Sequence, residues 1–311
     1  MKAKNVRPIV QGFWKEGLKT THGRIILLGL VVVAGYLSFW LGFQVWRSLK
    51  GSSSGLLQIA AMALGVYQLW GQRQQLKQQT ALEEDRLLGY LLILSGVILF
   101  PLCWVSTWSQ AMVSALILAL VCAVIGAGIV CSCWGLSFFG TYPLSTFLIC
   151  LGLLPKPAEI SRALWQAFTV PELLERFMAW SGGVILRAIG QPAVVDGLFI
   201  SIRNQAVEVG WGCNGFDMAV TMIVASLVLG LFLKQSWSKI AVIMAIGATL
   251  ALLSNIPRVA LVTVAAVYWG QYWFDFWHDS WGSQIFVSVL FTIYYYVVMA
   301  IVKQRSHKNT A

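Results

Sequence analysis

Three side chains able to carry out thiol chemistry stand far apart in the chain. Cys213 lies in Gly210-Trp211-Gly212-Cys213-Asn214-Gly215-Phe216-Asp217, Arg258 in Asn255-Ile256-Pro257-Arg258, and His278 in Phe276-Trp277-His278-Asp279. A thiol, a guanidinium and an imidazole together suit nucleophilic acyl transfer. The thiolate is the attacking species, and an ordinary cysteine with a pKa of about 8.5 is mostly protonated at neutral pH. His278 would take the proton and later return it to a leaving amine. Arg258, always charged, would stabilise the thiolate or the oxyanion of a tetrahedral intermediate. Gly210, Gly212 and Gly215 leave room for a peptide backbone to approach the sulfur. A helix starting just after Cys213 would add a dipole that favours an anion.

Each of these residues also has a plainer explanation. A cysteine at a helix end is commonly a small apolar filler. His278 stands among Trp273, Phe274, Phe276 and Trp277, where an imidazole can serve as an interfacial anchor. An arginine at a helix end can snorkel to phosphates. The other two histidines, His22 and His307, fall in basic segments assigned below to the opposite face, which leaves His278 for a site near Cys213. Asp217, four residues after Cys213, would share its helical face. It would pair with Arg258, sit protonated, or cap the helix start. Asp279 or Asp275 would orient His278. Cys131-Ser132-Cys133 has no second pair and no nearby histidine to complete a tetrahedral zinc site, so no metal is expected. GxxxxGK[ST] phosphate loops and HExxH pairs are absent from the sequence.

The elements that must position these groups are set by composition. Of 311 residues, 58% are hydrophobic and 11% charged, against about 25% charged in a soluble domain. Uncharged stretches reach the length of about 18 residues that a membrane helix needs. The chain therefore reads as an all-α polytopic membrane protein with about eight transmembrane helices, and not as a soluble enzyme, a disordered chain or a nucleic-acid binder. The expected spans are 25–43, 56–70, 87–108, 111–130, 134–154, 216–233, 240–256 and 283–302. Pro257 is expected to end a helix, and 259–269 is too short to cross on its own.

Between 155 and 212 the pattern changes. Ile160, Leu164 and Phe168 repeat at helical spacing between Glu159, Arg162 and Gln166, and Leu174, Phe177, Met178 and Trp180 do so against Glu172, Glu175 and Arg176. These are expected to be amphipathic interfacial helices. Residues 197–211 alternate as a small β-hairpin would.

Counting positive charge gives the orientation. The net charge is +10, and 14 of the 22 Lys and Arg fall in segments that are inner if the N-terminus is inside. Five of the remaining eight lie in the long 155–212 segment, which the positive-inside rule discounts. The organisation read from this is a basic cytoplasmic N-terminus (1–24), a first set of spans (25–154), an extracytoplasmic amphipathic segment (155–212), spans carrying the outer-face site (213–302) and a basic cytoplasmic tail (303–311). The first apolar run is a retained anchor, since no small-residue cleavage site follows it.

At these residues the sequence resembles the exosortase/archaeosortase family, most of all its cyanobacterial branch, the cyanoexosortases. The resemblance rests on Cys213-Asn214-Gly215 at the start of a span, Asn255-Ile256-Pro257-Arg258 after the next, and His278-Asp279 with Gly282 before the last, and covers roughly residues 90–302. It implies a Cys–Arg–His triad at Cys213, Arg258 and His278, supported by Asn214, Gly215, Asp217, Asn255 and Asp279. It also implies a cysteine-type peptidase or transpeptidase in the plasma (inner) membrane, acting on exported proteins with a C-terminal PEP-CTERM-like sorting signal. Many relatives carry Ser or Ala where this chain has Asn214. Thiol acyl transfer requires no cofactor. Two other functions compete: an outer-face solute transporter, and an enzyme of envelope polysaccharide assembly. The first lacks charged residues along the early spans, and the second gives Cys213 no task.

Overall fold

A backbone with no water beside it must satisfy its hydrogen bonds within its own segment, so a chain this apolar folds as helices. The computed structural model describes residues 18–49, 53–106, 111–154, 157–278 and 280–303. The basic ends, Pro155-Lys156, Gly51-Ser52 and Asp279 lie outside the described residues. Residues 1–46 with 58–156 form one compact unit, and 47–57 with 157–311 a second.

The first unit is built on α1 (Thr21–Leu49), α2 (Ser53–Gly71), α3 (Glu83–Ser106), α4 (Ala111–Trp134) and α5 (Pro143–Leu153), with two single helical turns between them. Small residues set its tightest crossing. A methyl group on Gly89 of α3 would sit 2.6 Å from the Gly128 carbonyl oxygen of α4, so the two helices meet backbone to backbone. Gln44 of α1 donates to Gln58 of α2 over 2.6 Å. Gln58 in turn donates to the Leu154 carbonyl left open at the end of α5. The expected continuous span over 134–154 is broken. Gly135 adopts φ +79° and ends α4, and helix resumes properly only at Pro143.

The second unit holds the candidate site. Its elements are α6 (Pro157–Phe168), α7 (Leu173–Ala188), β1 (Ala193–Asp196), β2 (Phe199–Ile202), β3 (Gln205–Glu208), α8 (Phe216–Phe232), α9 (Trp237–Val264), α10 (Gln271–His278) and α11 (Ser280–Lys303). The expected hairpin is present and is joined by one more strand. β1, β2 and β3 form an antiparallel meander in which Ala193 faces Ile202 and Ile202 faces Gln205. Four residues of β1 are too few to display alternation in sequence.

Helix α9 does not stop at Pro257. It runs through the proline to Val264, adds a π-helical turn over Ala265–Trp269, and ends at Gly270 with φ +83°. Pro257 removes one N–H from the ladder, a loss that membrane helices accommodate. Asn255, Arg258 and Val259, all buried, pack the helix on both sides of it. The 259–269 segment is therefore the last part of α9. From Trp237 to Arg258 the helix rises about 32 Å, and a hydrocarbon layer is about 30 Å thick. The apolar stretch Trp237–Trp269, which includes Arg258, is therefore longer than one hydrocarbon layer requires.

Among the described residues, five helical stretches are long and apolar enough to cross a membrane: Thr21–Leu49, Glu83–Cys103, Ala115–Trp134, Trp237–Trp269 and Gln271–Ile301. The 17 residues of α8 are apolar too, at the lower edge of the spanning range of about 17–25. The protein is an all-α, multi-pass membrane protein with a small sheet.

Two apolar clusters organise the second unit. Ala219, Met222, Ile243, Ala251, Leu290, Tyr294 and Val298 join α8, α9 and α11. Within this bundle the Tyr294 hydroxyl donates to Ser226 over 2.6 Å, a buried polar pair. Met178, Ala179, Leu186, Ile200, Ile202, Val209, Cys213 and Val259 join α7, the sheet and α9. The second cluster depends on Gly182 and Gly183. A methyl group on the first would meet Val259 at 2.9 Å, and one on the second would collide with Val195.

Candidate active site

Cys213 closes a single 3₁₀ turn, Trp211–Cys213, just ahead of α8. Asn214 follows in helical conformation, and Gly215 then reverses the chain with φ +78°. The expected helical continuity from Cys213 to Asp217 is broken there, because α8 begins only at Phe216. Glycine is required at 215 for a second reason: a Cβ would lie 2.9 Å from the side chain of Asn255. Asn214 serves the helix start, its Oδ1 accepting the Phe216 N–H over 2.9 Å.

The loop is held from α9. Asn255 Nδ2 donates to the Cys213 carbonyl oxygen over 2.6 Å. Asn255 Oδ1 accepts from Arg258 Nη1 over 3.3 Å, and Arg258 Nη2 donates to the His278 carbonyl oxygen over 3.0 Å. One chain of hydrogen bonds therefore runs from Cys213 through Asn255 and Arg258 to the end of α10. Asn255 is fully buried and Arg258 only 6% exposed. In such surroundings an unmade hydrogen bond is expensive, so the chain fixes the three segments relative to one another.

Cys213 and His278 border one small cavity of about 20 Å³ with Val207, Glu208, Val209, Val259, Val262, Thr263 and Phe274. The His278 ring stacks on Phe274, with centroids 5.1 Å apart and planes 18° apart. Stacking limits the rotation of the imidazole. Gly282 lets α11 start close to α10, since a Cβ there would lie 2.5 Å from the Trp277 Cα.

Arg258 and Asp217 border another, larger cavity of about 260 Å³, together with Gly212, Gly215, Trp211 and Arg47. Arg162 and Glu159 of α6 interact electrostatically with Asp217. Arg162 also lies over the Trp211 ring, 4.3 Å from its centroid, and Trp211 in turn packs on Phe216 at 5.2 Å. Asp275, a proposed orienter of His278, accepts instead from Gln271 over 2.7 Å. Asp279, the other, lies outside the described residues.

Two acidic residues at this site escaped the sequence reading. Glu208, at the end of β3, borders the cavity of Cys213 and His278. Glu175 of α7, only 7% exposed, accepts from Asn214 Nδ2 over 3.1 Å. Its signal was present: Glu175 shares a helical face with Ala179 and Gly182, and small residues mark the side of a helix that packs closely.

Among the described residues no group of three His, Cys, Asp or Glu is placed to hold a metal ion. The arrangement can supply a nucleophile, a base on the same cavity and a buried cation behind the loop, which suits thiol acyl transfer.

Helix lengths and composition define a multi-pass helical membrane protein. Residues 46–295 match the transmembrane exosortase family, and the chain belongs to that family. It is thus a membrane-embedded protein-sorting transpeptidase in the broad sense, of a family of cysteine transpeptidases and proteases that acts on exported proteins with sorting signals. Curated proteins and solved structures gave no match.

Proposed function

We propose that this exosortase cleaves the C-terminal PEP-CTERM-like sorting signal of exported proteins, with Cys213 as nucleophile, His278 as general acid and base, and Arg258 as the buried cation of the site. The observation that carries this reading is the single cavity bordered by both Cys213 and His278. His278 takes the proton of the thiol, and the sulfur adds to the scissile carbonyl carbon. The C–N bond then breaks as the same imidazole protonates the leaving amine. The resulting thioester is resolved by water or by an acceptor amine, which regenerates the thiol. Arg258, through Asn255 and the His278 carbonyl, keeps loop and imidazole in register and adds a buried positive charge to that framework.

The positive-charge count supports N- and C-termini in the cytoplasm and a site on the extracytoplasmic face of the plasma (inner) membrane. A substrate anchored by its own transmembrane helix would arrive laterally with its scissile bond at that rim. The resemblance to cyanoexosortases favours a cyanobacterial setting.

Mass spectrometry of a PEP-CTERM-like protein co-expressed with the enzyme tests the assignment. Wild-type enzyme is expected to shorten the substrate and leave a thioester on Cys213, whereas Cys213→Ala leaves the substrate intact. Continued processing by Cys213→Ala would overturn the proposal.

A further inference from the structure

Glu175 stands out among the acidic residues of the second unit. It lies on the buried face of α7 with Met178, Ala179, Gly182 and Leu186, while Leu173, Phe177, Trp180 and Val184 on the opposite face are exposed. The helix thus turns a carboxylate inward and aromatic side chains outward. A carboxylate taken out of water is costly unless something uses it. Among the described residues, its one hydrogen-bond partner is Asn214, the residue directly after Cys213.

Asn214 is fully buried and both ends of its amide are engaged: Oδ1 by the Phe216 N–H, Nδ2 by Glu175. Asn255 holds the Cys213 carbonyl from α9. The two clamps act on adjacent residues from different helices. One alone would leave the loop free to pivot about the flexible Gly212 and Gly215 that flank it. The acceptor oxygen also orients Asn214: with Nδ2 directed at Glu175, Oδ1 is the atom presented to the helix start.

We infer that Glu175 is a positioning residue for the reaction at Cys213, aiming the nucleophile loop through Asn214. This rests on reading Cys213 as the nucleophile. What Glu175 supplies is an acceptor oxygen at a fixed place, so its effect falls on turnover and leaves substrate capture unchanged.

Steady-state processing of a PEP-CTERM-like peptide by the full-length enzyme in detergent tests this. Glu175→Gln retains an acceptor oxygen and is expected to keep kcat within about threefold. Glu175→Leu has similar bulk and no acceptor; its kcat is expected to fall about tenfold or more with KM within twofold. Asn214→Ala removes the same hydrogen bond from the other side, along with the contact to the Phe216 N–H, and is expected to lower kcat at least as much. The double variant Glu175→Leu/Asn214→Ala is expected to be no slower than the slower single variant. Normal turnover in Glu175→Leu, equal losses in Glu175→Gln and Glu175→Leu, or losses that multiply in the double variant would each overturn the inference. Should Glu175→Leu not fold, Asn214→Ala decides, and normal turnover there is the overturning result. Cys213→Ala separates the two levels: if it still processes substrate, the nucleophile assignment fails, whereas an inactive Cys213→Ala beside a fully active Glu175→Leu refutes only the role of Glu175.

Discussion

The side-chain amide of Asn255 donates to the main-chain carbonyl of Cys213 over 2.6 Å, across 42 residues of sequence. The bond ties the middle of α9 to the loop that presents the thiol, and the same amide accepts from Arg258. Asn255→Ala removes both interactions and leaves a buried carbonyl unsatisfied. We expect a stability loss of about 1–3 kcal/mol and at least a tenfold drop in processing. Thermal unfolding in detergent and peptide cleavage rates measure the two effects. Asn255→Asp keeps the acceptor and loses the donor, so it should slow processing as well.

Arg258 reaches two acceptors in different directions, Asn255 Oδ1 and the His278 carbonyl oxygen. A guanidinium spans such a pair with a rigid fork, whereas an ammonium is a point charge. Arg258→Lys keeps the charge but is expected to lose at least about tenfold in kcat/KM, since each tenfold corresponds to about 1.4 kcal/mol. Wild-type activity in the lysine variant would show that charge alone suffices.

Gly215→Ala places a Cβ at φ +78° and 2.9 Å from Asn255. The backbone conformation alone costs about 1–2 kcal/mol, and Asn255 must also move off the Cys213 carbonyl. Both stability and processing should fall, and the melting temperature and cleavage rate should fall together.

Cys131 is buried at the end of α4, with Cys133 beside it. Neither belongs to the second unit, which contains Cys213. The double variant Cys131→Ser/Cys133→Ser should therefore process substrate at the wild-type rate, measured beside Cys213→Ser, which should be inactive. A deficit in the double variant would assign those thiols a part in the chemistry.

What the sequence made legible followed residue chemistry. Cys213, Arg258 and His278 could be singled out because thiols, guanidinium groups and imidazoles at the ends of apolar runs are few, and their types are complementary. The helical class followed from long uncharged runs. Glu175 was overlooked because a glutamate between Leu174 and Arg176 in an amphipathic pattern looks solvated, although its spacing from Ala179 and Gly182 puts it on a small-residue face. The run of α9 past Pro257 was hidden for the opposite reason: a local helix-breaking preference was overridden by the buried residues around it. The break at Gly135 depends on a backbone angle that an apolar sequence does not disclose.

The overshoot of α9 turns lipid length into a working parameter of the enzyme. The apolar stretch Trp237–Trp269, rising about 1.5 Å per residue, is longer than a hydrocarbon layer of about 30 Å. Longer acyl chains would draw the guanidinium toward hydrocarbon, and shorter ones would tilt α9 and shift the loop relative to the surface from which its substrate comes. Turnover in vesicles of graded chain length should therefore pass through a maximum, which makes the thickness of the host membrane a selector of where such an enzyme operates.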